Sequence, residues 1–186
     1  LPQGDMALSL DLGFDLPEPL LTALTFDYGV TERLQLGVDA SFGGFMYSGG
    51  LRSNYNFWQN EDESHFVSFR FSSHYIQIYA VLADLKMLAL DPALAHEYRW
   101  GEKKGGVFVK SGPMLNYISA GSDVLNGIFN ASTANQTFWA SALRSSVGVQ
   151  QQFGDHFSMT AEIAYVVGFS KMKNFPAGKL GLTWGF

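Results

Sequence analysis

Along most of this chain, apolar and polar side chains alternate one for one. From Met6 to Leu16 the even positions read Met, Leu, Leu, Leu, Phe, Leu, and the odd ones read Ala, Ser, Asp, Gly, Asp. Successive side chains of a strand point to opposite faces, so the segment predicts a strand with one greasy and one polar face. The period returns in Leu20, Leu24, Phe26, Tyr28 and Val30 against Thr25, Asp27 and Gly29. It recurs in Leu34, Leu36, Val38, Ala40 and Phe42 against Gln35, Gly37, Asp39 and Ser41. Leu51, Tyr55 and Phe57 oppose Arg52, Asn54 and Asn56, and Val67, Phe69, Phe71 and Tyr75 oppose Ser68, Arg70, Ser72 and His74. Near the end, Trp139, Leu143, Val147, Val149 and Phe153 oppose Arg144, Ser146, Gly148 and Gln150. Phe157 to Phe169 and Leu180 to Phe186 repeat the pattern, with Glu162 and Lys179 on the polar side.

The middle is less regular. Leu94, His96, Tyr98 and Trp100 against Glu97 and Arg99 predict a short sixth strand. Val107, Val109, Leu115 and Tyr117 against Lys110, Gly112 and Asn116 predict a seventh, interrupted at Pro113 because proline brings no N–H to a ladder. Residues 80–94 are too apolar for a solvated loop. They read equally as a short helix over one mouth or at a lipid surface, or as a longer fifth strand with an earlier sixth, since short apolar runs do not discriminate. The expected total is ten strands, with 8 or 12 as neighbouring counts. Short polar links at 31–33, 59–64, 101–105 and 154–156 alternate with more variable ones, the longest expected at 80–93 and 120–137. The tight Pro17-Glu18-Pro19 link falls in the second class.

A soluble sandwich also alternates, so which face is inside has to be argued. The polar face holds Asp11, Asp15, Asp27, Asp39, Glu97 and Glu162 against Arg52, Arg70, Arg99, Lys110, Arg144 and Lys179, six acids to six bases among many small residues. A neutral, small-residue face suits a crowded lumen, where an unpaired charge costs several kcal/mol. Aromatics gather at strand ends: Tyr28, Phe57, Trp100, Phe153, Phe157, Trp184 and Phe186 beside the short turns, and Tyr47, Tyr75, Tyr79, Tyr117, Trp139 and Phe169 toward the other links. Two such belts match membrane interfaces, and the strands approach the roughly 9–11 residues needed to cross a tilted path through lipid. The expected fold is therefore all-β: one domain over 1–186, an antiparallel up-and-down transmembrane barrel with its apolar face outward.

Composition supports this. Only 16% of residues are charged, against roughly 25% in soluble domains, while 15% are aromatic. No run of about 18 apolar residues supports a spanning helix. The net charge of −5 and the scattered Lys and Arg argue against a nucleic-acid partner. Without cysteine there is neither a disulfide nor a thiolate metal site, and His65, His74, His96 and His156 lack ligand spacing, so no metal and no cofactor is expected. The opening Leu1-Pro2-Gln3-Gly4-Asp5 has neither a basic start nor an apolar core, so any export signal is expected to have been removed.

The last eight residues, Lys179-Leu180-Gly181-Leu182-Thr183-Trp184-Gly185-Phe186, resemble the terminal targeting signal of bacterial outer-membrane β-barrels. In that family a polar residue is followed by a glycine two positions on, then by aromatic or apolar residues ending on a terminal aromatic. Lys179, Gly181, Trp184 and Phe186 fill those places. Asp27 to Gly37 also resembles the strand-turn-strand of such barrels. The resemblance implies an outer-membrane location among phospholipid and lipopolysaccharide. It further implies recognition by the barrel-assembly machinery, closure of the last strand on the first, and both termini at the periplasmic end. It carries no catalytic residues over.

Three functions compete. The first is transport through a narrow polar lumen of small solutes or a hydrophobic compound. The interior is tight, since about eight strands leave one just filled by side chains and open channels need about 16. The second is a structural or adhesion barrel with a plugged lumen, presenting 44–50 and 120–137 outside. The third is a lipid-modifying enzyme using His74 near Ser72, which would need a carboxylate to orient the imidazole. The bland reading of His74 as a hydrogen-bonded lumen residue is preferred.

Overall fold

The computed structural model describes residues 1–15, 18–44, 46–80, 83–101, 104–120 and 136–186. They form ten strands: β1 (Met6–Asp15), β2 (Glu18–Gly29), β3 (Leu34–Phe42), β4 (Met46–Gln59), β5 (His65–Ala80), β6 (Ala83–Trp100), β7 (Gly105–Ala120), β8 (Gln136–Phe153), β9 (Phe157–Ser170) and β10 (Phe175–Gly185). Each pairs antiparallel with its sequence neighbours, and β10 returns to β1 to close the barrel. Closure matters in lipid, where an unpaired sheet edge would leave backbone groups without partners. Leu8 lies opposite Trp184 and Asp11 opposite Gly181, and two backbone bonds of 2.9 Å join Met6 and Phe186.

Four short turns define one end, hereafter the turn end; the other is the loop end. Thr31 Oγ1 accepts from the backbone N–H of Arg33 and Leu34, at 3.2 and 3.0 Å, tightening the β2–β3 turn. In the β4–β5 turn Asn60 Oδ1 accepts from His65 N, and Asp62 Oδ1 accepts from both the hydroxyl and the N–H of Ser64. Those bonds from Ser64 hold the Asp62 carboxyl below its usual range. Gly101 and Gly154 supply positive φ in the other two turns.

The orientation is the one the alternation predicts. Leu10, Phe69, Ile163 and Trp184 are exposed on the barrel's exterior, Ile163 by 66%, while Asp11, Asp27 and Glu162 are buried inside. Exposed aromatics ring both ends: Tyr28, Phe57, Trp100, Phe153, Trp184 and Phe186 at the turn end, and Tyr47, Tyr75, Tyr117, Trp139 and Phe169 toward the loop end. A bulge after Asn56 turns Trp58 outward as well.

Three points of the sequence reading are decided by the register. Of the two readings of residues 80–94, the longer fifth strand with an earlier sixth is the one found, and the helix and the long link at 80–93 are overturned among the described residues: β5 runs to Ala80, which pairs with Ala83 at the start of β6. At Pro113 the expected interruption falls on one side only: β7 stays in register with Leu143 of β8, while its pairing with β6 breaks at residues 112–114. Residues 44–50 are not a loop, since β4 begins at Met46 and Gly49 and Gly50 lie within it. The expected connection at 120–137 falls mostly at 121–135, outside the described residues, as do 16 and 17.

Candidate functional site in the barrel interior

The alternation delivers eleven of the twelve sequence-predicted charges to one cavity of about 520 Å³. They meet as pairs. Arg52 makes a two-pronged contact to Asp27, with Nε 2.8 Å from Oδ1 and Nη2 on the second oxygen. Glu97 binds Arg99 Nε at 2.6 Å and Arg70 Nη2 at 3.5 Å. Lys110 Nζ lies 2.7 and 3.0 Å from the two oxygens of Glu162, and Lys179 Nζ lies 3.1 Å from Asp11. Asp39 accepts from His74 Nδ1 at 3.1 Å, and Arg144 lines the same space. The side chain of Asp15 is outside the described residues.

Small residues on the polar face have a specific use. Gly37 lies directly across from Asp27, Gly181 from Asp11, Gly50 from His74 and Gly148 from Phe108. A Cβ at any of them would run into that partner's side chain. Each inward-pointing large group thus occupies the space a cross-strand glycine leaves.

The sequence reading missed two features. Asp91 also lines the cavity, hidden in the sequence by the apolar run around it. Phe66 and Phe108 point inward on the polar face, where Arg99 stands over the Phe66 ring at 4.2 Å and Arg70 over Phe108 at 5.6 Å. Such contacts shield the guanidinium planes from water while leaving their edges to carboxylates.

The larger surprise is higher up. Toward the loop end the interior of β6 to β10 is apolar. Leu85, Ile118, Phe138, Ala140, Ala142, Val166 and Phe175 pack together, joined by Met172 from the β9–β10 link, with Ile78, Met87 and Met114 against them. Ile118, Ala142 and Val166 are wholly buried. Asn116 sits among them and points its amide at Met172 Sδ, 3.4 Å away. The interior is therefore two-tiered: a charged chamber toward the turn end and a dry apolar plug above it.

For chemistry, Asp39 supplies His74 with a carboxylate, but no hydrogen bond joins His74 to Ser68 or Ser72 among the described residues. Among the described residues no group of three His, Cys, Asp or Glu side chains gathers as metal ligands would.

No protein-family model and no curated protein sequence matches the chain. Solved structures do. Ail, the attachment invasion locus protein of Yersinia pestis, matches with 14% identity over 99% of each chain and a TM-score of 0.51. The N-terminal β-barrel domain of Pseudomonas aeruginosa OprF matches with 13% identity over 100% of each chain and a TM-score of 0.48. At such identity the likeness speaks for fold alone. Closed antiparallel topology, a greasy exterior ringed by aromatics and an enclosed set of charges agree with this likeness: the chain has the closed antiparallel β-barrel fold of Ail.

Proposed function

We propose that this barrel serves gated transport, carrying small solutes or a hydrophobic compound, and that its resting state is shut at the loop end. The two-tiered interior carries the reading. Turn-end residues such as Gln35, Asn56 and Gln150 line the charged chamber, and the apolar plug stands above it. Ten strands leave little spare width, and the paired charges narrow it further. Among the described residues the loop-end interior is packed with apolar side chains, so passage requires the plug to move.

Planar-bilayer recording tests this. Wild-type protein should show rare, low-conductance openings. Thinning the plug with Phe138→Ala and Phe175→Ala should give frequent ones, and neutralising Arg70 or Arg144 should then alter ion selectivity. A plug-thinned barrel that keeps its heat-dependent gel mobility yet stays electrically silent overturns the transport reading. The complete burial of Ile118 and Val166 favours a second reading, a plugged structural or adhesion barrel acting through its loops. The silent outcome supports it.

A further inference from the structure

Three ladders carry register-shifting bulges, at Gly13/Asp15, Asn56/Trp58 and Ser141/Ala142, but one seam is interrupted with no shift of register. Between β6 and β7 Leu90 pairs with Leu115 and Leu94 with Ser111, the same register on both sides, yet residues 91–93 and 112–114 between them are unpaired. That register sets Pro92 directly opposite Pro113. Neither has an N–H, so the two reciprocal hydrogen bonds of that position cannot form, and the Pro92 and Pro113 carbonyls lose their cross-strand donors there. The defect lies near the middle of both strands, at bilayer depth, where backbone groups normally find partners within the barrel. On their other sides both prolines remain in register, Pro92 with Phe71 and Pro113 with Leu143. The weakness belongs to this seam.

What lies on each side of it matters. Outside are the exposed Leu94, Leu115 and Pro113 with the half-buried Leu90 and Pro92, on the face turned to acyl chains. Inside, at the floor of the apolar plug, are Met87 and Met114, flexible side chains that repack at little cost. Just below, Asp91 and Arg144 line the charged chamber. Gly112 places no side chain in the gap, and its backbone is seated against the Pro92 carbonyl.

We infer that the β6–β7 seam parts locally at Pro92 and Pro113 to form a lateral passage between the apolar tier and the surrounding lipid. The compound that fits is slender and apolar with a small polar or charged head, because the passage joins acyl chains to an apolar pocket bordered by charges. This rests on the transport reading and names the substrate class and route.

Capture of tritiated palmitate tests it, with a diazirine-bearing aliphatic amino acid replacing Met114 in barrels reconstituted in phospholipid vesicles. Light should attach palmitate to position 114. A lock across the seam, Leu90→Cys with Leu115→Cys, should abolish capture when oxidised and restore it on reduction. An equivalent lock on the intact β7–β8 seam, Val109→Cys with Val147→Cys, should leave capture unchanged. Pro92→Ala with Pro113→Ala, which returns both N–H groups, should weaken it. Capture that ignores the β6–β7 lock overturns the lateral route while leaving transport through the mouth intact. Absence of capture in the unlocked barrel overturns the route too, and the conductance of the plug-thinned barrel then judges the transport reading separately.

Discussion

Lys179 Nζ lies 3.1 Å from the carboxylate of Asp11, an ion pair joining the last strand to the first inside the lumen. Beside it the Ser9 and Thr183 hydroxyls meet at 2.9 Å across the same β1–β10 seam. Gly181, opposite Asp11, leaves the room the carboxylate occupies. Gly181, expected as the glycine of a terminal signal, has a packing duty in the finished barrel. Gly181→Val should displace Asp11 and destabilise the closed barrel by about 1–3 kcal/mol, the usual range for overpacking. Urea unfolding from vesicles, followed by gel mobility, measures it, and Gly185→Ala, whose added Cβ meets only ordinary contacts, is the control.

Lys110 and Glu162 form a more enclosed pair, with the carboxylate side chain only 4% exposed. Removing one partner strands the other, so Lys110→Met should cost about 3 kcal/mol, while the double change Lys110→Met with Glu162→Leu should recover most of it. A double-mutant cycle in the same unfolding assay reads the coupling. A loss in the double variant equal to the sum of the two single losses would show that the pair does not act as a unit.

Gly168 is seated against the backbone of Met172, the residue that the β9–β10 link contributes to the plug. Gly168→Ala should push that link away and loosen the plug without touching a lumen charge. A loss of about 1–3 kcal/mol of stability with more frequent bilayer openings is the expected result, since the added Cβ meets the Met172 backbone rather than a flexible side chain.

Phe186 holds the closing seam through its backbone, while its ring is 60% exposed. Phe186→Ala should therefore leave the refolded barrel's unfolding midpoint nearly unchanged. It should lower the amount assembled in cells if the terminal aromatic is read by the assembly machinery. Equal yields of wild type and variant in the outer-membrane fraction would remove that role.

Where one face meets lipid and the other meets charge, as in β1, β3 and β9, alternation is written into the sequence and the strand could be read directly. The lumen partners followed from parity, although pairing such as Glu97 with both Arg70 and Arg99 needed the register. Residues 83–94 were illegible for a physical reason. Their outer face, Leu88, Leu90 and Leu94, meets lipid, while their inner face, Leu85, Met87 and Ala89, meets or flanks the plug, so both faces are apolar and the period vanishes. Asp91 was lost in the same run. The facing of Pro92 and Pro113 depends on the β6–β7 register, which neither strand's own pattern reveals.

Depth along the exterior can also be tested. Ile163 lies mid-strand in β9 and is 66% exposed, whereas Trp184 lies beside the turn end. Ile163→Arg should destabilise the barrel by about 2–4 kcal/mol and Trp184→Arg by only about 0–1 kcal/mol of charge penalty, following the depth dependence of cations on lipid-facing strands. Unfolding free energies in vesicles give both values.

The most direct measurement of the central claim is paramagnetic accessibility of spin labels placed singly along β1 and β9 in reconstituted vesicles. Labels at Leu8, Leu10, Met159 and Ile163 should relax with oxygen dissolved in the acyl chains, and labels at Ser9 and Thr160 should favour a water-soluble nickel complex, in strict alternation. The opposite assignment, with Leu10 and Ile163 shielded from oxygen and Ser9 and Thr160 turned toward lipid, would contradict the account.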